Sequence, residues 1–177
     1  MVDLHHRIVE EKSMQKTLVW IVLSAAISVV GSVAYADTRL VVGAGALRAY
    51  NGDQLATGRV AYEWEPLANY WDIRPYAQLL ASDRGDYLVG LGVLKQTPLG
   101  RKFEIGISLS AGYYHEGSDK LGDELDHDVE FHTSLMLDYL LSPDRRLRLE
   151  LGHISNADLG DENKGTESLI LSIVFSR

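Results

Sequence analysis

Between residues 39 and 176 the chain repeats one pattern: runs of about ten residues with apolar side chains on every second position, separated by turn residues. A period of two means extended backbone, because successive side chains on a strand point to opposite faces. The runs lie at 39–50, 56–65, 72–82, 86–96, 101–114, 128–141, 145–155 and 166–176. No long stretch among them has helical periodicity, so the expected class is all-β with eight antiparallel strands.

The two faces of these runs differ sharply in chemistry. In the fifth, Phe103, Ile105, Ile107, Leu109, Ala111 and Tyr113 share one side, and Glu104, Gly106, Ser108, Ser110 and Gly112 share the other. In the sixth, Phe131, Thr133, Leu135, Leu137, Tyr139 and Leu141 oppose Glu130, His132, Ser134, Met136 and Asp138. A soluble lipid-binding barrel would turn the oily side inward. Here the polar side carries Arg59, Glu63, Glu104, His132, Asp138, Arg146, Arg148 and Glu150, a set that can pair off inside a narrow lumen. The oily side ends in Tyr and Trp, as an aromatic girdle does. The expected architecture is therefore an eight-stranded antiparallel transmembrane β-barrel of the outer membrane.

An export signal agrees with that address. From Met14, Lys16 supplies a positive start, residues 18–30 an apolar run, and Ala34-Tyr35-Ala36 a small-x-small cleavage site. The apolar run is shorter than the roughly 20 residues of a membrane-spanning helix. Residues 14–36 are thus expected to be a cleaved signal peptide, residues 1–13 an upstream extension of unknown role, and residues 37–177 the barrel. The chain has no cysteine, so no disulfide braces it, and its net charge of −8 argues against nucleic acid as a partner.

Joint lengths give the expected orientation. "TPLG" at 97–100 and "SPD" at 142–144 are short, whereas "HEGSDKLGDELDH" at 115–127 and "NADLGDENKG" at 156–165 are long and follow odd-numbered runs. Short turns face the periplasm and long loops the exterior. The acidic "GDELDHD" at 122–128 reads as a solvated loop, and its spacing does not match an EF-hand. His115, His127 and His132 read as loop or lumen residues rather than metal ligands.

One cluster breaks the apolar alternation. In the seventh run His153 and Ser155 continue the row of Leu147, Leu149 and Leu151, and in the eighth Glu167 continues the row of Leu169, Leu171, Ile173 and Phe175. All three are expected on the outer wall at its exterior end. Ionisable groups facing lipid are costly unless paired. Catalysis gives a reason to keep them: serine is a weak nucleophile until an imidazole takes its proton, and a carboxylate holds that imidazole in the right tautomer. His153 and Ser155 are about 6.6 Å apart at Cα, from a strand rise of about 3.3 Å per residue, close enough for their side chains to meet. Taken singly, each of the three is an ordinary interfacial residue.

The motif H-x-S-N-A in "HISNA" (His153, Ser155, Asn156, Ala157), followed by "NKGTES" (Asn163, Gly165, Glu167, Ser168), resembles the outer-membrane lipid A 3-O-deacylase family of the PagL type. The resemblance implies a serine esterase that removes the 3-O-linked acyl chain of lipid A in lipopolysaccharide, with no metal or organic cofactor. It implies Ser155 as nucleophile, His153 as general base and acid, and Glu167 as orienting carboxylate. Asn163 and the backbone N–H after Ser155 would stabilise the oxyanion; Asn156, Ala157 and Gly165 would support the site. The implied partners are lipopolysaccharide and outer-membrane lipids, with a homodimer also allowed. Lys164, Lys120 and Arg84 are the loop cations available to headgroup phosphates, beside an acidic "DLGDE" stretch where bridging divalent ions would be the alternative. Two other functions fit the same barrel: an outer-membrane phospholipase or less selective lipid esterase, and a non-enzymatic anchoring or adhesion protein.

Overall fold

The computed structural model describes residues 37–49, 54–117, 125, 127–159 and 164–177. The expectations for residues 1–36, Lys120 and Asn163 lie outside this set. Strands β1 (Arg39–Leu47), β2 (Leu55–Glu63), β3 (Arg74–Ser82), β4 (Tyr87–Leu99), β5 (Phe103–His115), β6 (Val129–Ser142), β7 (Arg145–Ser155) and β8 (Thr166–Ser176) follow one another around a closed barrel. Every neighbouring pair is antiparallel, and β8 closes on β1 through pairs such as Phe175 with Leu40 and Ser172 with Gly43. Closure leaves no unpaired edge, the condition for a sheet to cross a membrane.

The expected faces are the observed ones. Ile105, Ile107, Leu109, Tyr113, Leu135, Leu137, Leu149, Leu151, Leu169 and Leu171 are exposed on the outer wall, whereas Ser108, Ser110, Glu130, His132, Met136, Asp138, Arg148 and Glu150 are buried inside. Aromatic rings flank the apolar band. Tyr87 and Tyr113 lie toward the long-loop end, where His115 stacks on Tyr87 at 4.8 Å. Tyr62, Trp64, Phe103, Tyr139 and Phe175 lie toward the short-turn end.

Strand positions sort the inward side chains into layers. At the long-loop end Leu47, Leu55, Leu80, Leu88, Tyr114, Ile154 and Ile170 form an apolar plug completed by Leu125. Below it Arg59 Nη1 meets Glu150 at 2.7 Å. A second apolar layer contains Val41, Ala61, Tyr76, Leu94, Met136 and Val174. Toward the turns Arg148 binds Asp138 at 2.7 and 3.0 Å and also Glu63, and Arg39 and Arg146 approach Glu104 at 3.9 and 3.7 Å. Buried charges of both signs are tolerable only in such mutual contact.

Two details differ from the sequence expectation, and one further joint has a fold of its own. Strand β4 runs on to Leu99, so "TPL" is strand and the turn is Gly100, Arg101 and Lys102. The pairing of β4 with β3 stops at Leu94, and its last residues form a two-stranded ribbon with β5 that admits Pro98. The joint after β2 is a folded hairpin, with Leu67 paired to Ile73 around a short 3₁₀ turn at Ala68–Tyr70. Leu125, within the stretch read as a solvated loop, is buried in the plug.

Candidate active site

Strand β7 ends at Ser155 and β8 starts at Thr166, so the two strand ends flank one long loop. Their register sets His153 directly opposite Glu167 and Ile154 opposite Thr166. Residues opposite one another across a ladder share a face, so the outward His153 and the outward Glu167 come together. The imidazole Nδ1 stands 4.0 Å from Glu167 Oε1, with the two side chains 47% and 37% exposed on the wall. With Nδ1 turned to the carboxylate, Nε2 is the nitrogen left for another partner. Ser155, the next outward residue on β7, is half-buried and paired with Phe131 of β6.

Gly165 supports the ring from below. Its φ is +66°, and a β-carbon there would lie 2.5 Å from His153 Cε1 and 2.8 Å from Nε2. Only glycine both accepts that backbone and leaves room for the imidazole. The Cε1–Nε2 edge of the ring therefore lies against Gly165, just before the start of β8.

The chain turns sharply right after Ser155. Asn156 is fully buried; its Oδ1 accepts the Asp158 N–H at 2.9 Å, and its carbonyl accepts the Leu159 N–H at 3.1 Å. Ala157 and Asp158 have φ of +54° and +63°, which makes residues 156–159 a type I′ turn. Neither is glycine, and each left-handed residue costs about 1 kcal/mol. Strain of this kind, held by a buried side-chain cap, fixes where the N–H groups behind Ser155 point.

Of the residues singled out in the sequence, the structure thus brings His153 and Glu167 into contact, with Ser155 adjacent on the same wall, Gly165 under the ring and Asn156 shaping the turn. Ala157 is exposed at the turn tip. Two neighbours escaped the sequence reading. Phe131 flanks Ser155, and Thr133 Oγ1 donates to the His153 carbonyl at 3.4 Å. Both follow from register, which alternation alone does not supply. Among the described residues no three His, Asp or Glu side chains converge to hold a metal ion.

The outward row beside Ser155 runs Phe131, Ala111, Leu91, Ala77 and Tyr62 across successive strands. Its small members open a shallow apolar groove of about 490 Å³ over β2 to β5, lined by Tyr62, Ala77, Val89, Leu91 and Ala111. Ala111 is two strands from Ser155, about 10 Å at the usual strand spacing.

Known structures of the same shape include outer-membrane and designed transmembrane barrels. The crystal structure of the outer membrane enzyme PagL superposes with a TM-score of 0.57 at 16% identity, covering 77% of this chain and 98% of that one. Neisserial surface protein A gives 0.57 at 8% identity, with 80% and 96% covered. A de novo designed transmembrane β-barrel gives 0.56 at 12% identity, with 80% and 95% covered. No curated protein matches the chain. At these identities the superpositions establish the fold alone. The family is established by sequence: the family model described as lipid A 3-O-deacylase (PagL) matches residues 42–176, the whole barrel but its first few residues. The chain is an outer-membrane β-barrel belonging to the PagL lipid A 3-O-deacylase family.

Proposed function

We propose that this barrel hydrolyses the 3-O-linked acyl ester of lipid A with Ser155, His153 and Glu167, at the outer-leaflet end of its lipid-facing wall. The observation that carries the reading is the cross-strand contact of His153 Nδ1 with Glu167, two residues from a serine on the same outward face. A structural barrel gains nothing from ionisable groups facing lipid.

The chemistry we propose is that of a serine esterase. Ser155 Oγ attacks the ester carbonyl as His153 Nε2 takes its proton, and Glu167 stabilises the imidazolium that forms. The tetrahedral oxyanion lies toward the turn, where the Asn156 N–H serves as donor, and the family motif supplies Asn163 as the second; such a donor is typically worth about 10²–10³ in turnover. Collapse breaks the bond to the sugar 3-oxygen, which leaves as the hydroxyl with the proton from His153. Water then cleaves the acyl-serine by the same route. The groove toward Ala111 offers the acyl chain an apolar bed.

Mass spectrometry of lipid A from cells expressing the protein, beside Ser155→Ala at matched abundance in the outer membrane, tests the assignment. Loss of one 3-hydroxyacyl group with the parent alone is expected. Phospholipid cleavage in its place would shift the assignment to a phospholipase, and no change in any lipid would favour the anchoring role. Gly165→Ala is a finer probe: its methyl would displace the His153 ring. Turnover is expected to fall by about 10²-fold, the cost of an ångström of misplacement, while heat-modifiable mobility on gels shows the barrel still folded.

A further inference from the structure

The wall that carries His153 and Glu167 is braced from inside by a bond that crosses it. His132, on β6, is fully buried, and its Nε2 lies 3.3 Å from the Ser168 Oγ of β8. Those two strands are not neighbours, because β7 runs between them. The bond is possible because β7 carries glycine at the crossing point. A β-carbon at Gly152 would lie 2.3 Å from His132 Nε2 and 2.4 Å from Ser168 Oγ, squarely between the partners.

The ring's orientation is set from its other side. Gln78 Oε1 accepts from Arg59 Nε at 3.2 Å, so the Gln78 amide nitrogen faces inward and donates to His132 Nδ1 at 3.1 Å and to Ser110 Oγ at 2.7 Å. An accepting Nδ1 leaves the proton on Nε2, the tautomer that donates to Ser168. Arg59 is in turn anchored by Glu150 at 2.7 Å. Ser168 follows Glu167 directly, Gly152 precedes His153 directly, and Gly152 pairs with Ser168 in the register that pairs His153 with Glu167.

Resting on the triad reading above, we infer that His132 is a positioning residue for this active site: through the gap at Gly152 it clamps β8 across β7 and fixes Glu167 opposite His153. Neither His132 nor Ser168 touches the reacting atoms. Their effect runs through the backbone positions of residues 152, 153, 167 and 168, and the side chains on the opposite face inherit it.

The test uses the full-length protein in detergent, with initial rates on lipopolysaccharide and heat-modifiable mobility as the check on folding. Ser168→Ala and His132→Met each remove the bond and should lower kcat by up to about 10²-fold with KM little changed. Gly152→Ala should do the same while keeping both partners. The double variant His132→Met with Ser168→Ala should be no slower than the worse single, because both remove one interaction. His132→Gln keeps an acceptor for Gln78 and a donor for Ser168, and should recover most of the turnover that His132→Met loses. Wild-type kcat in folded Ser168→Ala, or fully multiplicative losses in the double variant, overturns the clamp. If instead Ser155→Ala retains full activity, the triad reading fails, and that failure is read independently of the clamp variants. A single variant that fails to fold leaves Ser168→Ala, a loss of one hydroxyl, to decide.

Discussion

Replacing His153 with alanine is expected to slow ester cleavage by about 10⁴-fold or more, since in triads of this type the base and the nucleophile act as one unit. Glu167→Gln should cost less, within the roughly 10²–10⁴ range of a single proton-transfer partner. The carboxylate stands 4.0 Å from Nδ1, longer than a hydrogen bond, so its hold on the imidazolium is weaker than that of a directly bonded carboxylate. Combining the two substitutions should give no further loss beyond His153→Ala, because without the imidazole the carboxylate has nothing to orient. Initial rates on lipopolysaccharide and on a soluble chromogenic ester check this. An additional loss in the double variant would mean that Glu167 acts on the substrate directly.

The second large effect is on stability. Arg148 is fully buried and holds Glu63 and Asp138 together. Arg148→Met would leave two carboxylates in the lumen without that partner, and breaking a buried ion cluster in this way typically costs about 3–5 kcal/mol. The urea midpoint of the refolded barrel in detergent should fall accordingly. Adding Glu63→Gln and Asp138→Asn should recover much of the loss, since the penalty lies in the orphaned charges rather than in the missing arginine. An unchanged midpoint in Arg148→Met would show that Arg39, 3.9 Å from Glu63, is able to take over.

The sidedness of the wall was legible because a closed barrel imposes a period of two on every strand, so that Phe103 to Tyr113 or Glu130 to Asp138 sort themselves without knowledge of their neighbours. The outward placement of His153, Ser155 and Glu167 followed from the same parity. The contact of His153 with Glu167 did not, because a ten-residue loop does not fix register, and a slip of two residues would keep Glu167 outward while moving it away from His153. The turn behind Ser155 was hidden because Ala157 and Asp158 adopt positive φ without the glycine that normally announces it. Leu125 looked solvated inside an acidic run, and only its place in the plug explains its burial. His132, read as a loop or lumen residue, is buried in the lumen. Its partners Gln78 and Ser168 are 54 and 36 residues away in the chain, beyond any local pattern. Gly152, the one glycine of β7, was the available hint, since a strand glycine often marks a close approach.

A lumen filled from the Leu125 plug down to the Arg148 cluster has a kinetic corollary. With no route through the barrel, the proposed outer-wall site would exchange reactant and product by diffusion in two dimensions, so the governing variable is the mole fraction of substrate in the surrounding film rather than its bulk concentration. Diluting lipopolysaccharide with inert detergent at constant total substrate should therefore slow the reaction. Enlarging the vessel at a constant lipid ratio should not.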